Sequence, residues 1–109
     1  MTLIEKLKKI SAVFGSVEGC DVYHYSSPME KSAPFIVWME TESDDFHANN
    51  RTDETYLKGQ VDLFMLEEFD PAIDELVSVM DYAGMTHKIN SIMYEDNTNL
   101  IHYSWDWWC

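Results

Sequence analysis

At 109 residues the chain is long enough for one hydrophobic core, and we predict a single domain over residues 1–109. Its apolar and charged fractions, 46% and 25%, are those of an ordinary globular protein, but 20 acidic against 7 basic residues leave a net charge of −13. Such a surface excludes DNA binding through a basic patch. The acidic residues either keep the surface solvated and the protein soluble, or create an electrostatic field that repels nucleic acid or attracts a basic partner.

A helix is predicted at the start of the chain. Thr2 followed by Glu5 has the spacing of a capping box, in which a hydroxyl and a carboxylate satisfy two amides at a helix start. Gly15 supplies a stop. Between them, apolar residues recur with the period of one helical face, namely Leu3, Leu7, Ile10 and Phe14.

Two strands and two loops are predicted next. Residues 21–25, DVYHY, have the composition of a short strand, and residues 26–34 form a loop because their prolines cannot donate to a β-ladder. Residues 35–42, FIVWMETE, are too apolar at their start for an edge strand exposed on both faces. Residues 43–54 lack periodicity and are rich in turn formers, which predicts a long mobile loop.

Residues 55–67 alternate in the manner of a half-buried strand. Gly59 within this segment indicates a bulge or the close approach of another group. The predicted buried positions are Leu57, Val61, Leu63 and Met65, and the opposite face carries Tyr56, Lys58, Gln60 and Asp62.

A second helix and a hairpin complete the predicted elements. Asp70 is predicted as the N-cap of the helix and Pro71 as its first residue, and Gly84 is predicted to end it. Residues 87–94 and 100–108 flank the turn-rich sequence EDNTN, which predicts an antiparallel hairpin. The predicted buried stripe of the helix is Ile73, Leu76, Val77 and Met80.

The predicted order is therefore α-β-β-β-α-β-β. This order is typical of an α+β fold, with two helices packed on one face of a largely antiparallel β-sheet.

No motif predicts catalysis or a cofactor. The sequence contains no GxSxG, P-loop, GxGxxG or HExxH pattern, EDNTN lacks the glycine and closing glutamate of a calcium loop, and DDFH (residues 44–47) is better explained as polar loop. We expect no catalytic residue, no metal site and no cofactor. Among His24, His47, His87 and His102, no pair has the i, i+4 spacing that places two metal ligands on one face of a helix. His24 and His102 are instead predicted to be partly buried strand residues with hydrogen-bond partners.

The chain is expected to be soluble. Its longest apolar run, FIVWM at residues 35–39, is too short to span a bilayer, and its start has no signal-peptide pattern. Cys20 and Cys109 belong to no CxxC motif, which favours free thiols in a reducing cytoplasm and leaves a disulfide between them open.

The last nine residues, IHYSWDWWC, carry three of the four tryptophans. In a strand, Tyr103, Trp105 and Trp107 share one face, and Tyr103 and Trp105 are predicted to pack under the helices. Trp107 and Trp108 point to opposite faces, so we do not expect both to lie in one small core. At least one of them is a candidate anchor for another protein chain, because tryptophan is enriched among interface hot spots.

Several phrases of the sequence resemble the small tail-completion proteins of long-tailed bacteriophages, the tail terminators or tail-to-head joining proteins. VYHY, the proline-containing loop and APFIVW are similar to that family's strand, loop and Pro-x-Ile-Val-aromatic strand. FHANN resembles the Ala-Asp-Asn-type loop of that family. QVDLFMLEEFD resembles the family's strand that leads into an acidic helix start. AGMTHKINSIMYEDNTNLIHYSWDW resembles its closing hairpin.

The resemblance implies a virion protein, assembled in the host cytoplasm as a homo-hexameric ring that caps the tail tube and docks it to the head connector. It implies that the partners are the major tail protein and the head-completion or connector proteins. DNA would pass through the ring without specific binding, and no membrane would be involved. It also implies a loop that orders against a neighbouring subunit, with Arg51 in an inter-subunit ion pair. The loop residues at that interface would be Phe46, His47, Asn49, Asn50 and Arg51. Trp107 and Trp108, at least one of them an anchor, are the other candidate interface residues, and their stacking is a departure from the family.

Two other function classes stay open. A monomeric acidic protein-binding module, like an immunity protein or a DNA mimic, would bind a basic surface with strongly salt-dependent affinity. An enzyme would need a pocket that joins His, Asp and Glu from separate elements, and no spacing in the sequence predicts one.

Overall fold

The computed structural model describes residues 1–45 and 55–109. Within them the elements follow the predicted order, which confirms the α+β class. They are α1 (Leu3–Gly15), β1 (Asp21–His24), β2 (Phe35–Asp45), β3 (Thr55–Met65), α2 (Ala72–Tyr82), β4 (Thr86–Glu95) and β5 (Leu100–Trp108).

The five strands form one sheet in the order β1-β2-β3-β5-β4. The β2–β3, β3–β5 and β5–β4 pairs are antiparallel, whereas the short β1 runs parallel to β2. The sheet is therefore largely antiparallel, as predicted, and β2 lies inside it rather than at an edge. The edge strands are β1 and β4.

The β2–β3 hairpin is longer than its sequence predicts. Ser43 pairs with Leu57 and Asp45 with Thr55, so the prediction of a loop is wrong for residues 43–45. Serine and aspartate have weak β propensity, and pairing along an existing ladder outweighs it. Residues 46–54 lie outside the described residues, and with them five of the predicted interface positions, Phe46, His47, Asn49, Asn50 and Arg51.

Side chains accept backbone N–H groups near the start of each helix, but only α1 has a side-chain N-cap. Thr2 Oγ1 accepts a hydrogen bond from the Glu5 N–H at 3.1 Å, as the capping-box spacing predicts. The prediction of Asp70 as the N-cap of α2 and Pro71 as its first helical residue is wrong by one position: Pro71 is the N-cap and the helix begins at Ala72. Asp70 Oδ1 accepts from the Ala72 N–H at 2.9 Å, a bond to the amide two residues on that belongs to the turn before the helix. At the end of α2, Gly84 has a φ of +73°, the left-handed conformation that glycine adopts without strain.

One core joins the sheet to both helices. Ile10 and Phe14 from α1 and Leu76 and Met80 from α2 are fully buried in it, as predicted. Leu3, on the same predicted helical face as Ile10 and Phe14, is 48% exposed and lines an open cavity at the end of the sheet. That the two helices cover the same face stays a prediction. The sheet supplies Ile36, Trp38, Leu57, Val61, Leu63, Met65, Trp105 and Trp107 to this core.

An aromatic cluster surrounds Gly59. The ring of Phe14 lies 5.5 Å from that of Trp38 and 6.0 Å from that of Trp107, measured between centroids. Trp107 pairs with Gly59 across the β3–β5 ladder, and a Cβ at residue 59 would come under 3.0 Å from its ring and from the Met39 carbonyl oxygen. The predicted close approach at Gly59 is confirmed.

We expect Gly59→Ala to lower the free energy of unfolding by about 2–3 kcal/mol, because the added methyl must displace either an indole or a backbone carbonyl. Urea unfolding followed by tryptophan fluorescence measures this loss. Gly15→Ala is the matched control, since a Cβ there meets no atom within 4 Å, and should change stability by no more than about 1 kcal/mol. Equal effects of the two substitutions would contradict the packing described.

Candidate partner interface

The two tryptophans predicted as anchors differ in burial. Trp107 is fully buried among Phe14 and Trp38, so its prediction as a partner anchor is wrong. The missing side chain of Gly59 makes room for its indole. Trp108, on the opposite face, is half-buried, and Lys58 Nζ lies 5.5 Å from its ring centroid. Its role as an anchor stays a prediction.

The strand β4 carries an exposed apolar surface. It pairs with β5 along one edge, and no strand of the described residues pairs with its other edge. An open edge strand with apolar side chains is a ready template for pairing with another chain. We call this strand's exposed residues the β4 surface: Ile89, Ile92, Met93 and Tyr94, which are 46–59% exposed.

Most of the β4 surface continues the face of the sheet that forms the core. Ile89 pairs with the buried Trp105, and Ile92 pairs with the half-buried Tyr103. Directly paired residues point to the same face of a sheet. The core face therefore extends past the area that the rest of the fold covers, and exposed apolar area of this kind marks interaction sites in soluble proteins.

A cavity of about 450 Å³ lies beside the β4 surface. Its apolar wall comes from β3, β4, β5, the first turn of α2 and Phe69 in the segment before that helix. Glu67 and Glu68 are its acidic lining residues. The arrangement suits an apolar side chain of another protein, because it holds no nucleophile and only carboxylates at its edge. The apolar lining is Met65, Phe69, Ile73, Ile92, Met93, Tyr94, Ile101 and Tyr103.

Sequence reasoning missed the β4 surface because of a β-bulge. The β4–β5 register shifts between Ile89 and Ser91, so the apolar residues of β4 do not alternate strictly with polar ones. The signal that could have found it is the run Ile92, Met93 and Tyr94 beside the hairpin turn, which is too apolar for a solvated edge strand.

The three described histidines, His24, His87 and His102, each lie beside a carboxylate, in separate places. His24 Nε2 lies 3.1 Å from Glu40 Oε2, and its ring stacks on Trp38 at 3.8 Å. His102 Nε2 lies 3.2 Å from Asp62 Oδ1, an ion-pair distance without hydrogen-bond geometry. Within residues 1–45 and 55–109, no three His, Cys, Asp or Glu side chains come together as a metal site.

The two cysteines are free thiols. Burial, together with the charges of Asp70, Glu75 and Asp21, raises the pKa of the Cys20 thiol. A raised pKa lowers the thiolate fraction at neutral pH, which makes Cys20 a poor nucleophile. Neither helix in the described part of the chain has the length and apolar character to cross a membrane.

No protein-family model matches the chain, and no curated protein matches it in sequence. The surfaces described above are therefore the physical basis for assigning a function.

We expect the paired variants Trp107→Ala and Trp108→Ala to separate core from surface. Trp107→Ala should cost about 3–5 kcal/mol of unfolding free energy, because it empties a fully buried site. Trp108→Ala should cost less than about 2 kcal/mol, because its ring is half-exposed. Chemical denaturation measures both, and equal losses would contradict the assignment of Trp108 to the surface.

Proposed function

We propose that the chain is a structural assembly subunit, a tail-completion protein of a long-tailed bacteriophage that acts as a tail terminator or tail-to-head joining subunit. The observation that carries the proposal is the β4 surface, an apolar open edge on a strongly acidic chain. The resemblance of the sequence to that family supports the same function.

The β4 surface fits assembly better than catalysis. A partner strand that pairs with β4 satisfies the free backbone groups of that edge, and its side chains cover Ile89, Ile92 and Tyr94 at the same time. A ring needs one surface of each subunit to meet a different surface of the next, and an open edge strand supplies one of the two.

The net charge agrees with a ring around a DNA channel. Twenty acidic residues against seven basic ones repel phosphates, so DNA passes such a ring without being retained. The proposed partners are other copies of the chain in a homo-hexameric ring, the major tail protein and the head-completion or connector proteins of the virion.

A monomeric acidic protein-binding module is the second candidate, and the net charge of −13 is the observation that favours it. Such a module binds a basic surface mainly by charge. It gives no reason for the apolar β4 surface, which is why we place it second.

We expect a phage or induced prophage lacking this gene to produce DNA-filled heads separate from its tails, as seen by electron microscopy of lysates. Overlong tubes indicate a terminator, and tails of normal length a joining protein. When the Ile92→Lys gene is supplied in trans, the titre should be lower by at least about tenfold than with the wild-type gene, because the lysine places a charge in the apolar contact made by the β4 surface.

Tyr82→Lys is the matched control, since Tyr82 is 96% exposed and lies on α2, and it should complement fully. Intact infectious particles without the gene would overturn the proposed function and place the acidic binding module first.

The salt dependence of binding separates the two candidate functions. We expect the purified chain to co-sediment with tails from the deletion lysate at both about 0.1 M and about 1 M salt, although the screening length falls from about 10 Å to about 3 Å. Apolar contacts survive this screening. Binding that disappears at the higher salt would indicate association by charge alone.

A further inference from the structure

The cavity beside β4 and the β4 surface form one continuous apolar area. Ile92, Met93 and Tyr94 belong to both, because these exposed residues of the edge strand also line the cavity. The cavity volume of about 450 Å³ lies within the range of roughly 300–1,000 Å³ typical of binding pockets. We call this cavity the β4 cavity.

Phe69 lines the β4 cavity, yet it is 91% exposed. Its φ of +59° lies in the left-handed region, which is strained for a bulky residue. The backbone before α2 is therefore held in an unfavourable conformation where a large apolar ring meets water. Strain of this kind clusters at binding sites, where the surrounding structure maintains it. The wall of the cavity thus has the features of a surface that a partner covers.

The charged side chains at the β4 cavity are acidic. Glu67 and Glu68 are exposed and line it, whereas no lysine, arginine or histidine among the described residues lines it. Carboxylates beside an apolar wall attract a ligand that carries a cation next to an apolar side chain, because the cation meets complementary charge while the apolar group leaves water. A lysine or an arginine beside an aliphatic or aromatic residue has this chemistry.

The free edge of β4 favours one backbone conformation of the ligand. No described strand pairs with this edge, so backbone N–H and C=O groups of β4 face outward along it. An extended segment that adds a strand satisfies these groups with main-chain hydrogen bonds, and a pocket for its alternate side chains gives the specificity. The edge therefore suits an extended protein segment whose apolar side chains contact Ile89, Ile92 and Tyr94.

A second copy of this chain fits the β4 cavity poorly. Each copy has a net charge of −13, so copies repel one another at a site that is already acidic. Of the lysines, all of which lie in the described part of the chain, Lys58 and Lys88 are those in strands. Lys58 belongs to β3, which is paired on both sides. From its described strands, a copy can therefore offer a lysine only from the β4 edge itself, which favours a different, basic protein as the occupant.

We propose that the β4 cavity docks an extended basic segment of a different protein, an inference that rests on the proposed function because it assigns this surface to another virion protein. The segment adds a strand to β4 and inserts an apolar side chain into the cavity. A lysine or arginine within two residues of that side chain meets Glu67 and Glu68. The apolar contact supplies most of the affinity, and the charges select the partner. The edge of β1 remains for the contact between copies in a ring.

Two synthetic peptides test the charge preference. The first is Lys-Val-Thr-Ile-Lys-Leu-Thr-Val-Lys, which alternates as a strand does, and the second has glutamate in place of each lysine. At about 0.1 M salt, we expect the wild-type chain to bind the lysine peptide at least about tenfold more tightly, measured by fluorescence anisotropy of a label on the peptide. The variant Glu67→Lys with Glu68→Lys should lose this preference, because two lysines then face the lysine peptide.

The matched control is Glu5→Lys with Glu42→Lys, which changes the net charge by the same amount. Both residues are exposed, and neither lines the β4 cavity. This control should keep the wild-type preference, since the charge at the cavity is unchanged. An equal loss of preference in the two double variants, or absence of peptide binding by the folded wild-type chain, would overturn the proposal.

Ile92→Lys tests the apolar part of the contact. We expect it to weaken binding of the lysine peptide at least about tenfold, because it places a charge in the apolar wall. Tyr82→Lys, on α2 and outside the β4 cavity, should bind the peptide as the wild type does. If the purified chain instead self-associates in sedimentation velocity and Ile92→Lys abolishes the self-association, a second copy occupies the site and the proposal is overturned.

The deletion phage separates this proposal from the proposed function. We expect the gene with Glu67→Lys and Glu68→Lys to give a titre at least about tenfold below that of the wild-type gene. Second-site mutations that restore the titre should replace a lysine or arginine in another virion gene. Restoring mutations found only in this gene would overturn the docking of a basic segment. Intact particles from the deletion phage would instead overturn the proposed function, and the peptide measurements do not depend on that result.

Discussion

The packing of the Trp107 indole over Gly59 is the contact on which the arrangement of the sheet depends. The indole N–H is buried without a hydrogen-bond partner among the described residues, which costs about 1–3 kcal/mol. Burying an aromatic ring of about 150–250 Å² at about 25 cal/mol per Å² gains roughly 4–6 kcal/mol, so the apolar term is the larger. A slip of one residue would expose the ring, and the contact therefore fixes the β3–β5 register.

The same register decides which faces remain for partners. With Trp107 in the core, Trp108 must point to the other face, beside Lys58. The core face then runs on from Trp105 to Ile89 on the edge strand, where it becomes the β4 surface. One buried contact thus sets the position of the half-exposed tryptophan and of the apolar edge.

The fold could be predicted from the sequence because its signals are local. A capping threonine marks the start of α1, Asp70 and Pro71 mark that of α2 to within one residue, alternation marks β3, and the turn residues between β4 and β5 mark the hairpin. The candidate interface could not be predicted in the same way. Which of two adjacent tryptophans is buried depends on a glycine in another strand, and the exposure of Ile92 depends on how far the rest of the fold covers the sheet. Both are tertiary properties. In addition, the bulge at Ile89–Ser91 interrupts the alternation of apolar and polar residues in β4, so a search for alternation does not reveal the exposed apolar side chains.

The position of β5 also bears on how the chain folds. It is the last strand in sequence, yet it lies between β3 and β4 and brings Trp105 and Trp107 into the core. The sheet is incomplete until β5 pairs with both of its neighbours, and until then β3 and β4 both present unpaired edges. Folding that waits for distant segments to meet is slow, and open edges prolong the time in which a nascent chain can aggregate.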